Sequence, residues 1–275
     1  MTDQTPPPNP MATPVPWNLV AADYRTDVVP QFERYADRAL RMAQVQRSAS
    51  IIDVACGPGT LALLAAAHCA DVAALDFSDA MVAQLHQRLA HDYVRNVEPV
   101  VGDGQALPYA DGEFDAGFSM FGLMFFPDRH RGFCELKRVV KPGGKVVVSS
   151  WLPLDKVPAM AAIFQALSNQ MPPSSAAPPK FPLVAAQDYH DEMGAAGYVD
   201  ITVEQATFSL EAPDTATLWR GMQKTLAPAA LMRARLGPVA WPAVSAAILA
   251  DMTAAIGLGP QIVPMAAWLA MGTVP

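Results

Sequence analysis

Apolar residues in this chain fall into two rhythms, and the rhythms alternate. From Gln31 to Gln46 they recur at helical spacing, at Phe32, Tyr35, Ala36, Ala39, Leu40 and Ala43. The uninterrupted run Ile51–Val54 then reads as a buried strand, and "LALLAAAHCA" as a helix after a glycine-rich break. "DVAALDFSD" is a second strand ending at Asp76. Ser78 is a natural N-cap for the helix that follows, which turns Met81, Val82, Leu85 and Leu89 to one face. "VEPVVGDG" and "FDAGFSMFG" read as the third and fourth strands. Arg131 to Val140 is a helix with Phe133, Leu136 and Val139 inward, and "KPGGKVVVSSW" is a turn into a fifth strand. Such alternation predicts a parallel sheet with helices on both faces. Its ligand belongs beyond the carboxyl ends of the strands, where strand order reverses.

The rhythm changes after Trp151. Residues 157–170 read as a helix, "QMPPSSAAPPKFP" as a Pro-rich loop, and Ala185 to Ala196 as a helix ended by Gly197. "YVDITVEQATFSL" is a long strand. Beyond Pro213 the pattern is helical and apolar, and "MAAWLAMGT" reads as a last strand of the sheet. No internal repeat is visible. The start, "MTDQTPPPNPMATPVPW", lacks the basic and apolar regions of a secretory signal and reads as a flexible Pro-rich arm.

Composition narrows the function classes. The 275 residues are 52% hydrophobic and 16% charged, with a net charge of −7, so the chain has ample core and is a poor match for nucleic-acid phosphates. Between Leu236 and Pro275 only Asp251 is charged, yet that residue and several prolines interrupt the run, so no stable membrane insertion is expected. Cys56, Cys69 and Cys134 lack metal-ligand spacing and read as reduced thiols. A cytoplasmic location and no bound metal are the corresponding expectations.

The chemistry concentrates in "IIDVACGPGT". Gly57, Gly59 and Ala62 satisfy the G-x-G-x-x-G/A spacing, and Asp76 follows at the distance expected of a ribose-binding acid. By itself this suits either a dinucleotide or an adenosyl sulfonium. The latter needs backbone N–H groups for its amino-acid end, a carboxylate for its diol and an apolar slot for its base. The turn with Ala55 and Cys56 supplies the first and Asp76 the second. "GDGQALP" offers Asp103, Gly104 and Gln105 for the third, between Phe77 and Met81, with Ser119 and Met120 closing the fourth strand. Asp53 is expected to orient the glycine turn through its backbone N–H groups. Tyr24, Phe121, Met124 and Phe125 are the candidate acceptor wall, and Trp17 with Tyr24 a candidate lid. His130 and His190 read as surface or helix-capping residues.

Taken together, "DVACGPG", "ALDFSDAM", "GDGQALPYADGEFDAGFSMFGL" and "ELKRVVKPGGKVVVSSW" resemble the motifs of class I S-adenosylmethionine-dependent methyltransferases. Within them the likeness is greatest to the ubiquinone/menaquinone-biosynthesis C-methyltransferases and related small-molecule enzymes, and it covers roughly residues 31–151. Ala55 stands where most of the superfamily has glycine, and Met124 with Phe125 where the quinone enzymes carry an Arg-Asn pair.

The resemblance implies an α/β fold, a Rossmann-like doubly wound seven-stranded mostly parallel sheet with added helical cap elements. It implies S-adenosylmethionine as cofactor and a small, apolar or aromatic methyl acceptor. The expected organisation is an arm and lid over 1–30, a cofactor-binding core over 31–155, and the rest of the sheet with cap elements over 156–275. No catalytic residue is identifiable. Three rivals stay open: an NAD-dependent oxidoreductase, a non-catalytic interaction module that self-associates through the apolar C-terminal region, and a family member that uses the sulfonium without transferring methyl.

Overall fold

The computed structural model describes residues 9–69, 71–171 and 182–275. Helix α1, Pro14–Asp27, runs almost directly into α2, Val29–Ala43, with Val28 alone between them. Strand β1, Ser50–Val54, is followed by α3, Thr60–Ala66, then β2, Asp71–Asp76, and α4, Asp79–Asp92. Next come β3, Val97–Val101, β4, Phe114–Met120, α5, Arg129–Val139, and β5, Val140–Trp151. The remaining elements are α6, Pro158–Asn169, α7, Ala186–Ala195, β6, Val199–Ala212, α8, Thr215–Thr225, α9, Ala227–Ile256, and β7, Gln261–Thr273.

The strands form one seven-stranded sheet in the order β3-β2-β1-β4-β5-β7-β6. Neighbours from β3 to β5 are parallel, and β7 runs antiparallel to both β5 and β6. Central β1 is buried from Ile51 to Val54, as a strand covered on both faces must be. Successive residues point to opposite layers. Ile51 and Val147 join Tyr35, Leu61 and Leu85 beneath α2, α3 and α4, whereas Ile52, Val146 and Val148 join Phe133, Leu136 and Met193 beneath α5 and α7. A third core, around Ile163, Trp219, Trp241 and Ile248, unites α6, α8 and α9 into a cap.

Strand order reverses between β1 and β4, so the sheet opens a crevice at their carboxyl ends. Both strands leave that end through a residue in left-handed conformation, Ala55 (φ 59°) and Phe121 (φ 59°). This is strained backbone for a residue with a side chain.

The N-terminal reading needs correction. Residues 1–8 lie outside the described residues, but 14–27 are helical rather than a flexible arm. Pro14 and Pro16 sit in the first turn of α1, where a missing N–H costs nothing. A proline-rich start therefore encodes a helix entry here. Most of the Pro-rich loop, 172–181, also lies outside the described residues. Among the described residues α9 is the one helix long and apolar enough to cross a membrane. It is broken at Gly237 (φ 70°, ψ 177°), immediately before Pro238, so it is two helical pieces rather than one continuous rod.

Candidate functional site

A cavity of about 310 Å³ lies over the carboxyl ends of β1, β2 and β4. On one side its wall is polar. The chain leaves β1 through Ala55, Cys56 and Gly57 (φ 54°) and enters α3 at Gly59 (φ 80°), alternating left-handed residues through a tight turn. The turn is pinned from three directions. Asp53 accepts the N–H of Ala62 at 3.2 Å inside α3, Cys56 N–H donates to the carbonyl of Leu75, and Arg88 reaches from α4 to the carbonyl of Pro58. Asp53 thus ties β1 to the first turn of α3, through a donor that has no intrahelical acceptor, rather than to an N–H of the glycine turn itself.

Asp76, at the end of β2 and 5% exposed, accepts the N–H of Gly57 through one carboxylate oxygen and that of Ser78 through the other, both at 2.8 Å. One side chain thus joins the glycine turn to the start of α4. Ser78 caps α4 as expected, accepting from Met81 N–H at 3.1 Å. Asp103 is exposed and turns its own loop by accepting the backbone N–H of Gln105 at 2.8 Å, while Gln105 accepts from Asp128 N–H at 2.9 Å. Gly104 lies buried against the Phe126 ring.

Much of the remaining lining is aromatic. Phe121 stacks on Trp151 with ring centres 4.1 Å apart and donates its N–H to Ser149 Oγ at 3.0 Å. Phe32 from α2 packs against Phe121 at 4.9 Å and against Trp151 at 5.5 Å. From α1, Trp17 meets Phe125 edge-on at 4.9 Å and Tyr24 meets Phe32 at 6.0 Å. Burial, then the charge of Asp76, raises the Tyr24 phenol well above its ordinary range, so it is a neutral hydroxyl.

Of the residues singled out for a cofactor, Asp53, Ala55, Cys56, Gly57, Asp76, Phe77, Met81, Asp103, Gly104, Gln105 and Met120 line this one cavity. Gly59 and Ser119 do not. Gly59 instead lets α3 approach α4 closely, since a Cβ there would stand 2.4 Å from Leu85 Cδ1. Ser119 faces away from the cavity that its neighbour Met120 lines, and its Oγ is buried without a partner. Tyr24, Phe121 and Phe125 line the aromatic side, but Met124 is buried with Leu123 and Phe133 in the core beneath α5. His130 sits against Cys134 Sγ at 3.5 Å and His190 is exposed; neither reaches the cavity. Sequence reasoning missed Phe32, Pro58, Thr60, Leu61 and Gly122 as wall residues. Thr60 and Leu61 were legible as the first turn of a helix following a ligand loop; Phe32 carried no local signal. No group of three or more metal-ligating side chains occurs among the described residues.

Burial raises Asp53 to about 8, with the charge of Asp76 adding to the rise and the Ala62 N–H opposing it. Burial likewise raises Asp76 to about 6 against the N–H groups of Ser78 and Gly57. Unfolded aspartates titrate near ~4, so the folded protein holds extra protons from there up to about 8. The stability these groups contribute is full in acid and is lost as pH rises through the folded values. The ligand-free protein is therefore expected to melt at a lower temperature near about pH 8.5 than near about pH 5.5. Differential scanning fluorimetry at constant ionic strength reads this, and Asp53→Asn should flatten the upper half of the profile. An unaltered slope in that variant would refute the assignment.

Comparison with known proteins agrees with this architecture. Residues 52–148 match the protein-family model described as "Methyltransferase domain". Those residues are similar to methyltransferase domains. Demethylmenaquinone methyltransferase of Bacillus subtilis (strain 168) is 35% identical over 120 residues, covering 42% of this chain and 52% of the relative. The chain thus spans about half the length of the curated relatives it matches. A putative methyltransferase from Bacillus halodurans C-125 superposes with a TM-score of 0.59 at 16% identity, over 87% of this chain and 98% of that one. The [4+2]-cyclase SpnF superposes with a TM-score of 0.56 at 20% identity, over 88% of this chain and 81% of that one. These two likenesses show the fold alone.

The matched residues supply the polar wall, because Asp53, Asp76, Asp103 and the glycine turn all lie within 52–148. Much of the aromatic wall comes from outside them. Trp17, Tyr24 and Phe32 precede the matched residues, and Trp151, which backs the wall residue Phe121 without lining the cavity itself, follows them.

Proposed function

We propose that this cavity binds S-adenosylmethionine and that the chain transfers its methyl group to a small apolar or aromatic acceptor. The observation that carries the reading is that a single cavity is lined both by carboxylates with the glycine turn and by aromatic side chains. The residues present fit the cofactor. Asp76 accepts the N–H of Gly57 on one oxygen and that of Ser78 on the other, and its remaining lone pairs suit a ribose diol. Ala55, Cys56 and Gly57, with the amino end of α3 at Thr60, suit the amino-acid end. Asp103, Gly104 and Gln105, with Phe77, Met81 and Met120, suit the adenine. On this reading 31–155 is the cofactor-binding core, α1 within 1–30 is a lid, and 156–275 completes the sheet and caps the acceptor side.

When bound, the cofactor supplies a methyl group on a cationic sulfur, displaced in line by the acceptor's nucleophile. The protein's part is alignment and dryness. Phe32, Phe121 and Phe125 present an apolar surface that favours loss of charge over the cationic ground state. The aromatic wall and the relatives named for demethylmenaquinone both support an aromatic, quinone-like acceptor. Among the described lining residues none is Lys or Arg, which argues against an acceptor as anionic as a nucleic acid.

Isothermal titration with S-adenosylhomocysteine is the decisive experiment, with saturable binding expected. Saturable binding of NAD(H) and none of the homocysteine compound would reverse the reading. Mass spectrometry of candidate aromatic acceptors should then show the gain of one methyl group.

A further inference from the structure

We propose that Asn18 is a positioning residue, tying the helix that carries Trp17 and Tyr24 to the turn after Asp76, so that a cofactor held at Asp76 sets the acceptor wall. The proposal rests on the cofactor reading above. The path is short and hydrogen-bonded throughout. Asp76 accepts the N–H of Ser78 at 2.8 Å, Ser78 Oγ donates to Asn18 Oδ1 at 2.5 Å, and Asn18 Nδ2 donates to Asp79 Oδ1 at 2.8 Å. Ser78 is fully buried and its hydroxyl also caps α4. A shift at Asp76 therefore moves the hydroxyl that grips α1.

Helix α1 packs on α4, α8 and α9. It pairs with no strand, and its buried contacts form a small cluster of Val20 and Ala21 with Met81, Ala227 and Ala230, separate from the cores on the two sheet faces. One side of α1 faces solvent with Val15 and Leu19 exposed, and the other faces the cavity with Trp17 and Tyr24. The joint to α2 is a single residue, and Pro30 in the first turn of α2 has no N–H to continue a helical ladder across it.

Hydrogen–deuterium exchange of the full chain, with and without S-adenosylhomocysteine, tests this. In the wild type the ligand should slow exchange at 55–60, at 76–81 and across α1. Asn18→Ala should keep the first two effects and weaken the slowing in α1 by about tenfold. Asn18→Asp, which sets a carboxylate against Asp79, should act alike. The exchanged pair Asn18→Asp with Asp79→Asn reverses donor and acceptor and should restore α1 protection. Equal α1 slowing in wild type and Asn18→Ala overturns the role of Asn18, as does failure of the exchanged pair to restore it. Absence of slowing at 55–60 in the wild type sinks the cofactor reading, and this proposal with it.

Discussion

Gly122→Ala is expected to destabilise the protein by about 2–3 kcal/mol, the cost of overpacking a tight backbone contact. Gly122 closes the turn after β4, and a Cβ there would stand 2.2 Å from the Cβ of Ala55 and 3.6 Å from its Cα. Neither atom can swing aside, because a Cβ moves only with its backbone. The two strand ends on either side of the cavity floor would have to part, displacing Phe121 and the glycine turn together. The conformation of Gly122 itself is not at issue; its φ is −100°. The cost is purely steric, and that makes a rescue specific. Ala55→Gly removes the opposing Cβ and relieves a left-handed alanine, so the double variant should recover most of the loss. Chemical unfolding of wild type, both single variants and the double variant measures the coupling. Additive effects would show that the contact does not limit packing.

Asp76→Ala should weaken S-adenosylhomocysteine binding by about 1–3 kcal/mol, or roughly fivefold to 150-fold. Two losses combine. The ribose acceptor disappears, and the N–H groups of Gly57 and Ser78 lose their common partner, so the turn on one side and α4 on the other are no longer tied. Stability should change less than affinity, because removing a buried carboxylate also removes its desolvation cost. Asp76→Asn is the sharper probe, since an amide keeps one acceptor oxygen and turns a donor toward the other N–H. Calorimetry on both variants tests the point. A dissociation constant unchanged in Asp76→Ala would refute the ribose assignment.

The polar half of the site was legible because its determinants are local. A strand, a glycine turn, an acid at the next strand's end and a capping serine two residues later follow one another within 51–78. The backbone path places them together wherever strands lie side by side. Asp53 and Asp76 therefore line one cavity, which Asp103 joins from the loop after β3. Legibility failed where a single step of side-chain direction decides the outcome. Ser119 and Met120 are neighbours on β4, yet only Met120 meets the cavity; Met124 and Phe125 share one short helical turn, yet only Phe125 does.

By itself, then, the sequence determined the alternation of strand and helix, the place where strand order reverses and the acids at the strand ends. Hydrophobic period and turn chemistry act over a few residues and are written in order along the chain. Only the tertiary structure decided that residues 14–27 form a helix against the cavity, that Phe32 meets Phe121 and Trp151, and that Tyr35 donates to the carbonyl of Met265. Those contacts join segments tens to hundreds of residues apart. Their energy comes from packing that exists only once the sheet has formed, so no local pattern encodes them.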